Sequence, residues 1–286
     1  MKRRSNYTLR SKLIKRRAAK YLFLLPGLAG VCYFVLVPFA DVVRRSFYTS
    51  LSGEFVGFKN YLSVLRNSAF QLAAGNTVKF VAVCLPLLLL FSLVLALILN
   101  RKEKWEKWKH LYLLPLAMPA ATVVLVWKML FAKQGFLNMW IGTHIDFMGE
   151  DSSFYILVGS YIWKNLGYTL VLWLAGLKAV PADMLEAARV DGAGKIQAFF
   201  RITLPNLKGS MYTITVLSFL NSFKVFREAY LVSGSYPQEK IYLLQHVFNN
   251  WYTNLELDKM AAGAVLTALV LGGISLFLQR LWNRDD

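Results

Sequence analysis

The feature that most constrains this chain is a series of six apolar segments, each about 20 residues long or longer. A bilayer core about 30 Å thick is crossed by about 20 residues of helix, and a helix satisfies its own backbone hydrogen-bonding groups in hydrocarbon. We therefore predict an all-α fold, a polytopic membrane helical bundle with six transmembrane helices. The predicted spans are residues 21–43, 76–99, 111–131, 154–177, 209–232 and 260–282.

The composition excludes two other classes of protein. The chain is 56% hydrophobic and 17% charged, with a mean hydropathy of +0.43, which is unlike a soluble domain. A net charge of +17 could indicate nucleic-acid binding, but the basic residues cluster beside apolar runs rather than on a soluble surface.

Cys32 and Cys84 both lie in apolar stretches without CxxC spacing, so we predict neither a disulfide framework nor a metal site.

The first 20 residues carry nine Lys or Arg and no acidic residue, as in the basic region of a signal peptide. The apolar run that follows is longer than a typical signal peptide core, and its far end lacks an A-x-A-like cleavage site. We predict that residues 1–20 form a basic cytoplasmic segment and that 21–43 is retained as the first helix.

The distribution of basic residues predicts the orientation of the chain. With the amino terminus inside, the cytoplasmic segments hold 21 of the 33 Lys and Arg residues and the outer loops hold seven. Lys and Arg are enriched in short cytoplasmic loops, so both termini are expected in the cytoplasm of a multi-pass cell-membrane protein. No repeat or flexible linker divides residues 21–286, which we interpret as one membrane domain.

The connection 178–208, the longest predicted cytoplasmic loop, has the features of a folded segment. Pro181 suits a first helical position and Asp183 suits the positive end of a helix, so a short helix is expected over 184–189. Asp191-Gly192 is its predicted stop.

A second amphipathic stretch follows and is predicted to end at Pro205. Its apolar positions recur at helical spacing and comprise Ile196, Phe199, Phe200 and Thr203. The connection is therefore predicted to be a helix-turn-helix lying under the membrane.

This loop resembles the EAA loop of ABC importer permeases. The matching residues are Glu186-Ala187-Ala188, Asp191-Gly192-Ala193 and Ile202-Thr203-Leu204-Pro205. They fall before the last two spans, where that family places the motif. Further sequence segments are similar to the sugar and glycerol-phosphate branch of this family, which includes the maltose-type permeases. It comprises Trp163, Gly167-Tyr168, Leu174-Ala175-Gly176-Leu177, Gly135-Phe136-Leu137-Asn138 and Ser222-Phe223-Lys224-Val225-Phe226.

The resemblance implies a type I ABC importer permease fold and import of a sugar or oligosaccharide by alternating access. It also implies several partners: a second homologous permease, a cytoplasmic ABC ATPase dimer that binds the ATP, and an extracytoplasmic solute-binding protein. The ATPase-coupling residues that it implies are Glu186, Ala187, Ala188, Asp191, Gly192 and Ala193.

Several charged residues lie inside or at the ends of the predicted spans: Asp41, Lys79, Lys128, Lys164, Lys224, Arg227 and Glu228. Most lie near a span end, where a long side chain reaches water. Lys224 and Glu228 stand at i, i+4 and could pair. Lys164, near the middle of its span, either lines a water-filled pathway or contacts another helix.

A neutral polar set suits a hydroxylated solute, which needs hydrogen bonds and aromatic faces. The candidate substrate-pathway residues are Asn165, Tyr168, Ser218, Asn221, Ser222 and Phe223. The alternative interpretation is that these Ser and Asn side chains join neighbouring helices, as is common in membranes.

No sequence motif indicates catalysis or nucleotide binding by this chain. G-x-x-x-x-G-K-S/T, HExxH and GxSxG are all absent, so no catalytic residue, metal ligand or cofactor is predicted. The alternatives to sugar import are a permease for a peptide, an amino acid or an anion, a polytopic membrane enzyme, and a stand-alone channel.

Overall fold

Helices joined by short turns make up the computed structural model, which describes residues 24–100, 109–149 and 152–282. Within these ranges there is no β-strand, and a single isolated bridge joins Tyr48 and Phe55. The all-α prediction is confirmed for this part of the chain. The predicted basic segment 1–20 lies outside the described residues.

The helices follow the apolar segments and the loop between the fourth and fifth of them. They are α1 (Leu24–Arg45), α2 (Lys59–Arg66), α3 (Ser68–Leu99), α4 (Lys109–Ala117), α5 (Ala120–Phe131), α6 (Phe136–Ile141), α7 (Ser153–Lys178), α8 (Ala182–Val190), α9 (Lys195–Ala198), α10 (Lys208–Ser222), α11 (Phe226–Ser233), α12 (Leu244–Thr253) and α13 (Leu257–Trp282).

Four helical segments of the described chain are long and apolar enough to cross a membrane: Leu24–Arg45, Ser68–Leu99, Ala120–Ile141 and Leu257–Arg280. They overlap the predicted first, second, third and sixth spans. The predicted fourth span is one continuous helix, α7, and the predicted fifth comprises α10 and α11 with a 3-10 turn between them. The number of six spans remains a prediction.

The predicted third span is interrupted. Helix α4 ends at Ala117, and α5 begins at Ala120 after a break at Met118 and Pro119, with Pro119 as its N-cap. Proline lacks the N–H that a continuous helix needs and disfavours helical geometry in the residue before it. The two helices therefore meet at this proline instead of forming one straight span.

The chain divides into two compact units, one of which joins residues up to Val64 with Leu255–Thr267. In this unit the side chain of Asn60 donates hydrogen bonds of 3.0 Å to the carbonyls of Ser46 and Tyr48. The hydroxyl of Ser50 accepts the backbone N–H of Asp258 at 2.7 Å. These bonds hold the segment after α1 against α2 and against the start of α13.

The other unit, Leu65–Asn254 with the end of α13, contains the core that surrounds the candidate site. Helix α3 packs along α7. One hydrophobic core between them contains Phe80, Cys84 and Leu88 of α3 and Tyr161 of α7. Farther along, the indole N–H of Trp173 on α7 donates to the hydroxyl of Ser92 on α3 at 3.1 Å.

Two glycines of α7 allow neighbouring helices to approach closely. A Cβ at Gly167 would lie 1.6 Å from the carbonyl oxygen of Tyr112 on α4. A Cβ at Gly176 would lie 2.6 Å from the hydroxyl of Ser210 on α10. Small residues at such positions are the usual means by which membrane helices pack backbone to backbone.

Cysteine labelling tests the topology, and the structure selects the positions. In a Cys32→Ala, Cys84→Ala background, Met139→Cys and Tyr236→Cys are expected to react with an impermeant maleimide from outside, because both side chains are exposed and lie in predicted outer loops. Lys195→Cys, exposed in the predicted cytoplasmic loop, is expected to react only after the membrane is permeabilised. The reverse pattern would invert the topology.

Candidate functional site

The connection between α7 and α10 is folded as two short helices, as the sequence predicts. Helix α8 extends the predicted 184–189 helix by two residues at the start and one at the end. Pro181 immediately precedes α8, one position before the predicted one, and Asp183 lies in the first turn. Helix α8 has no fully buried residue. Leu185 is half-buried and packs against the core, and most of the other side chains of α8 are exposed.

The turn after α8 is a Schellman motif. Gly192 has φ +80°, in the left-handed region that favours glycine. Its N–H donates to the carbonyl of Arg189 at 3.1 Å, and the N–H of Ala193 donates to the carbonyl of Ala188 at 2.9 Å. The predicted stop at Asp191-Gly192 is confirmed, and the bonds fix the direction in which the chain leaves α8.

The second helical piece does not end at Pro205, so that prediction was wrong by one residue. After α9 the chain continues as a π-helix over Phe199–Thr203 and then as Leu204–Asn206. The π-helix widens the turn just before Pro205, whose ring would clash with the carbonyl four residues earlier in a regular α-helix. The helical conformation therefore continues past Pro205 to Asn206.

The surface of this helix pair combines exposed apolar and charged groups. Ile196 is 76% exposed and Phe200 61% exposed, and Val190 is also exposed at the end of α8. The Glu186 carboxylate is exposed, and among the described residues it forms no ion pair. Of the other predicted coupling residues, Ala187, Asp191 and Gly192 are exposed, and Ala188 and Ala193 are half-buried.

A cavity of about 270 Å³ lies among the helices of the larger unit. It is lined by Leu116, Met118, Pro119, Ala120, Ser160, Tyr161, Lys164, Asn165, Asn221, Lys224, Val225, Arg227 and Glu228. The lining combines amides, hydroxyls and charged groups from α7, α10 and α11 with the proline break before α5. Polar groups converging on a cavity within a membrane bundle are typical of a solute pathway.

The predicted pathway residues divide into two groups. Asn165 and Asn221 line the cavity. Tyr168, Ser218, Ser222 and Phe223 do not belong to its lining. The hydroxyl of Ser222 donates to the carbonyl of Phe219 within its own helix at 2.6 Å. Ser218 is buried; its carbonyl accepts the Tyr161 hydroxyl at 2.7 Å, while its own hydroxyl has no hydrogen-bond partner among the described residues.

The charged pair that the structure forms differs from the predicted one. Glu228 pairs with Lys164 on α7 rather than with Lys224, which the i, i+4 spacing favoured. The 3-10 turn Phe223–Val225 interrupts the helix, so Lys224 and Glu228 no longer follow one regular α-helical face. Lys164 therefore makes the contact with another helix that was one of its two alternatives, and it also lines the cavity. That this cavity is a water-filled pathway stays a prediction.

The 3-10 turn is itself held by α12. The side-chain amide of Gln245 donates to the carbonyl of Phe223 at 3.1 Å. Next to it, His246 is fully buried between the rings of Phe226 and Tyr242. Burial lowers the pKa of His246 to about 4, so the imidazole is neutral and its Nδ1 accepts the N–H of Leu243 at 3.1 Å.

Asn138, singled out in the sequence by resemblance, organises a predicted outer loop. It is 2% exposed, and its amide donates to the carbonyls of Ala132, Lys133 and Ile145 at 2.8 to 3.2 Å. The carbonyl oxygen of its side chain accepts the hydroxyl of Thr143 at 2.8 Å. This role is structural, and no spacing rule in the sequence predicts it.

A membrane bundle with a charged internal cavity and an exposed helix pair on one connection has the features of a transporter subunit. The chain belongs to the family described as binding-protein-dependent transport system inner membrane component, which matches residues 75–285. It is thus a membrane protein of a binding-protein-dependent transport system.

Individual relatives match most of the chain. The trehalose/maltose transport system permease protein MalF of Thermococcus litoralis is 32% identical over 289 residues, 95% of this chain and 96% of the relative. The sn-glycerol-3-phosphate transport system permease protein UgpA of Yersinia pestis is 27% identical over 284 residues, 92% and 94% of the two chains.

A solved bacterial ABC transporter involved in the import of the acidic polysaccharide alginate has the same fold. One of its chains superposes with a TM-score of 0.82 at 23% identity, over 96% of this chain and 98% of that chain. The predicted ABC importer permease fold is confirmed.

Proposed function

We propose that this chain is one permease subunit of an ATP-driven importer of a sugar or oligosaccharide, with both termini in the cytoplasm. It pairs with a second permease, rests on an ABC ATPase dimer and receives solute from an extracytoplasmic binding protein. ATP is bound by the ATPase, and this chain supplies the pathway and carries out no chemical reaction. Membership of the family and a relative whose name specifies trehalose and maltose support this proposal.

The observation that carries the proposal is the folded, exposed helix pair between α7 and α10. Helix α8 has no fully buried residue, only Leu185 packs against the core, and its end is fixed by the Schellman turn at Gly192. An exposed apolar surface with an exposed Glu186 carboxylate suits docking onto a protein with a basic groove. The ATPase moves this helix pair, and because the pair leads directly into α10, its motion reaches the helix that carries Asn221.

The cavity beside α7 is the proposed solute pathway. Asn221 offers an amide group that can hydrogen-bond sugar hydroxyls, and the Tyr161 ring supplies an aromatic wall. One N–H of the Asn165 side chain donates to the Tyr161 carbonyl at 2.9 Å, which leaves its second N–H and its carbonyl oxygen for a sugar hydroxyl. Alternating access would open this cavity to each side of the membrane in turn. Of the other predicted residues, Ser218 and Phe223 help to position the lining elements, because their carbonyls accept the Tyr161 hydroxyl and the Gln245 amide.

Uptake into proteoliposomes tests the proposal against its rivals. The importer is assembled with its companion permease, ATPase and binding protein, and accumulation of radiolabelled sugars is measured with ATP and with a non-hydrolysable ATP analogue. ATP-dependent accumulation is expected. Uptake with the analogue at the same rate would identify a channel, and accumulation of a peptide or amino acid in place of sugars would identify another importer.

Asn221→Ala is expected to raise the half-saturating solute concentration for transport roughly 2- to 13-fold. Loss of one hydrogen bond to a neutral group costs about 0.5–1.5 kcal/mol. Thr213→Ala is the matched control, because Thr213 is exposed on the same helix and does not line the cavity. Equal half-saturation in the two variants would place the solute elsewhere.

A further inference from the structure

The cavity contains more positive than negative charge. Four charged side chains line it, three basic and one acidic: Lys164, Lys224, Arg227 and Glu228. Glu228 is buried and pairs with Lys164, so these two charges compensate each other. Among the described residues no carboxylate forms an ion pair with Lys224 or Arg227. The lining therefore carries two positive charges that this part of the chain does not neutralise.

The fold places these two cations at the cavity through a defined local structure. The 3-10 turn Phe223–Val225 joins α10 to α11, and Gln245 holds it through the carbonyl of Phe223. In an uninterrupted α-helix Lys224 would stand beside Glu228, four residues later. Because Glu228 is taken by Lys164 on α7, Lys224 remains available to a ligand.

Lys224 and Arg227 lie toward the end of the predicted fifth span and are exposed in this chain. A cation in a span with no partner of opposite charge marks a candidate solute or ion pathway. A guanidinium binds a carboxylate, phosphate or sulfate through two parallel hydrogen bonds, and an ammonium binds the same groups as a compact charge. A neutral sugar offers neither cation a partner of opposite charge. Two cations beside Asn165 and Asn221, without a carboxylate partner in the described part of the chain, thus suit a solute that carries both hydroxyl groups and a negative charge.

We infer that the solute of this permease is an acidic sugar, with its anionic group bound by Lys224 and Arg227 and its hydroxyls bound by Asn165 and Asn221. This inference rests on the proposed function and specifies its substrate class. The competing explanation is that a carboxylate of the companion permease neutralises the two cations in the assembled importer. The two explanations differ in what happens when the cations are removed.

The experiment uses the complete importer in proteoliposomes and pairs of probes that differ in charge. The pairs are trigalacturonate with its methyl ester, glucose 6-phosphate with glucose, and glucose 6-sulfate with glucose. Solute-stimulated ATP hydrolysis is measured for each probe. In at least one pair we expect the acidic member to be effective at a concentration about tenfold or more below that of its neutral counterpart, as one charged hydrogen bond implies.

The binding protein imposes a preference of its own, so substitutions in the permease decide the test. The acid-to-neutral ratio is the effective concentration of the neutral probe divided by that of its acidic counterpart. Lys224→Met and Arg227→Met are each expected to reduce this ratio about tenfold. Lys128→Met should leave the ratio unchanged, because Lys128 is exposed on α5 outside the cavity lining.

The remaining outcomes separate the inference from the function on which it rests. A neutral probe as effective as its acidic counterpart would overturn the inference and leave sugar import intact. An acid preference that survives in both Met variants would also overturn it and favour a companion carboxylate as the partner of the cations. If no probe in the panel stimulates hydrolysis, the inference and the proposed import of sugars are both contradicted, although ATP-dependent uptake of another solute would still identify an importer.

Discussion

Replacing Gly192 with proline is expected to reduce solute-stimulated ATP hydrolysis to the unstimulated rate. Gly192 has φ +80°, and its N–H donates to the carbonyl of Arg189. Proline fixes φ near −65° and has no N–H, so it can neither adopt this positive φ nor make this hydrogen bond. The turn must therefore rebuild, and α8 loses the direction in which it meets the ATPase. Insertion should persist, because no residue of α8 is fully buried and Leu185, which packs against the core, lies a full two turns before Gly192.

Gly194→Pro is the matched control for this prediction. Gly194 lies two residues farther on and has φ −67°, within the range that proline adopts. Hydrolysis close to that of the unsubstituted protein is expected for Gly194→Pro. If Gly192→Pro also keeps full stimulation, the turn after α8 has no part in coupling.

Gly167→Ala is expected to lower the yield and thermal stability of the folded protein severely. The added Cβ would lie 1.6 Å from the Tyr112 carbonyl oxygen and 2.3 Å from its carbon, and both are backbone atoms. Helix α4 would have to move away from α7, which disturbs the proline break that lines the cavity. Overpacking, including the backbone shifts that it forces, typically costs about 1–3 kcal/mol and occasionally more. Thermal unfolding in detergent measures the change.

Gly159→Ala is the corresponding control on the same helix. No atom lies within 4 Å of a Cβ at Gly159, which is exposed. Alanine is favoured over glycine in a helix by about 0.5–1 kcal/mol, so this variant should be as stable as the parent or slightly more so. Equal losses in the two variants would mean that the close approach of α4 and α7 is not what constrains Gly167.

The parts of the site that follow local rules could be predicted from the sequence. The end of α8 at Asp191-Gly192 depends on a glycine that adopts positive φ, and it was predicted correctly. The second piece of the loop was predicted as a helix, but its continuation beyond Pro205 was not. A proline can either end a helix or be accommodated by a local change of helix geometry, and here a π-helix before Pro205 accommodates it.

The composition of the cavity could not be predicted, because it depends on contacts between distant helices. The i, i+4 spacing favoured pairing of Lys224 with Glu228, and only the 3-10 turn and the proximity of α7 assign Glu228 to Lys164. Likewise, helical spacing placed Ser218 and Ser222 on one face with Asn221. It could not show that Ser222 bonds within its own helix while Asn221 faces the cavity.

The central claim, that the cavity beside α7 is the solute pathway and opens to each side in turn, is tested most directly by the reactivity of Asn221→Cys. The variant is placed in the Cys32→Ala, Cys84→Ala background and assembled into the complete importer in proteoliposomes. An impermeant maleimide is applied from either side, without nucleotide and with ATP and vanadate. We expect modification from one side without nucleotide and from the opposite side in the trapped state. Modification that is equal from both sides in both states, or absent throughout, would contradict the claim.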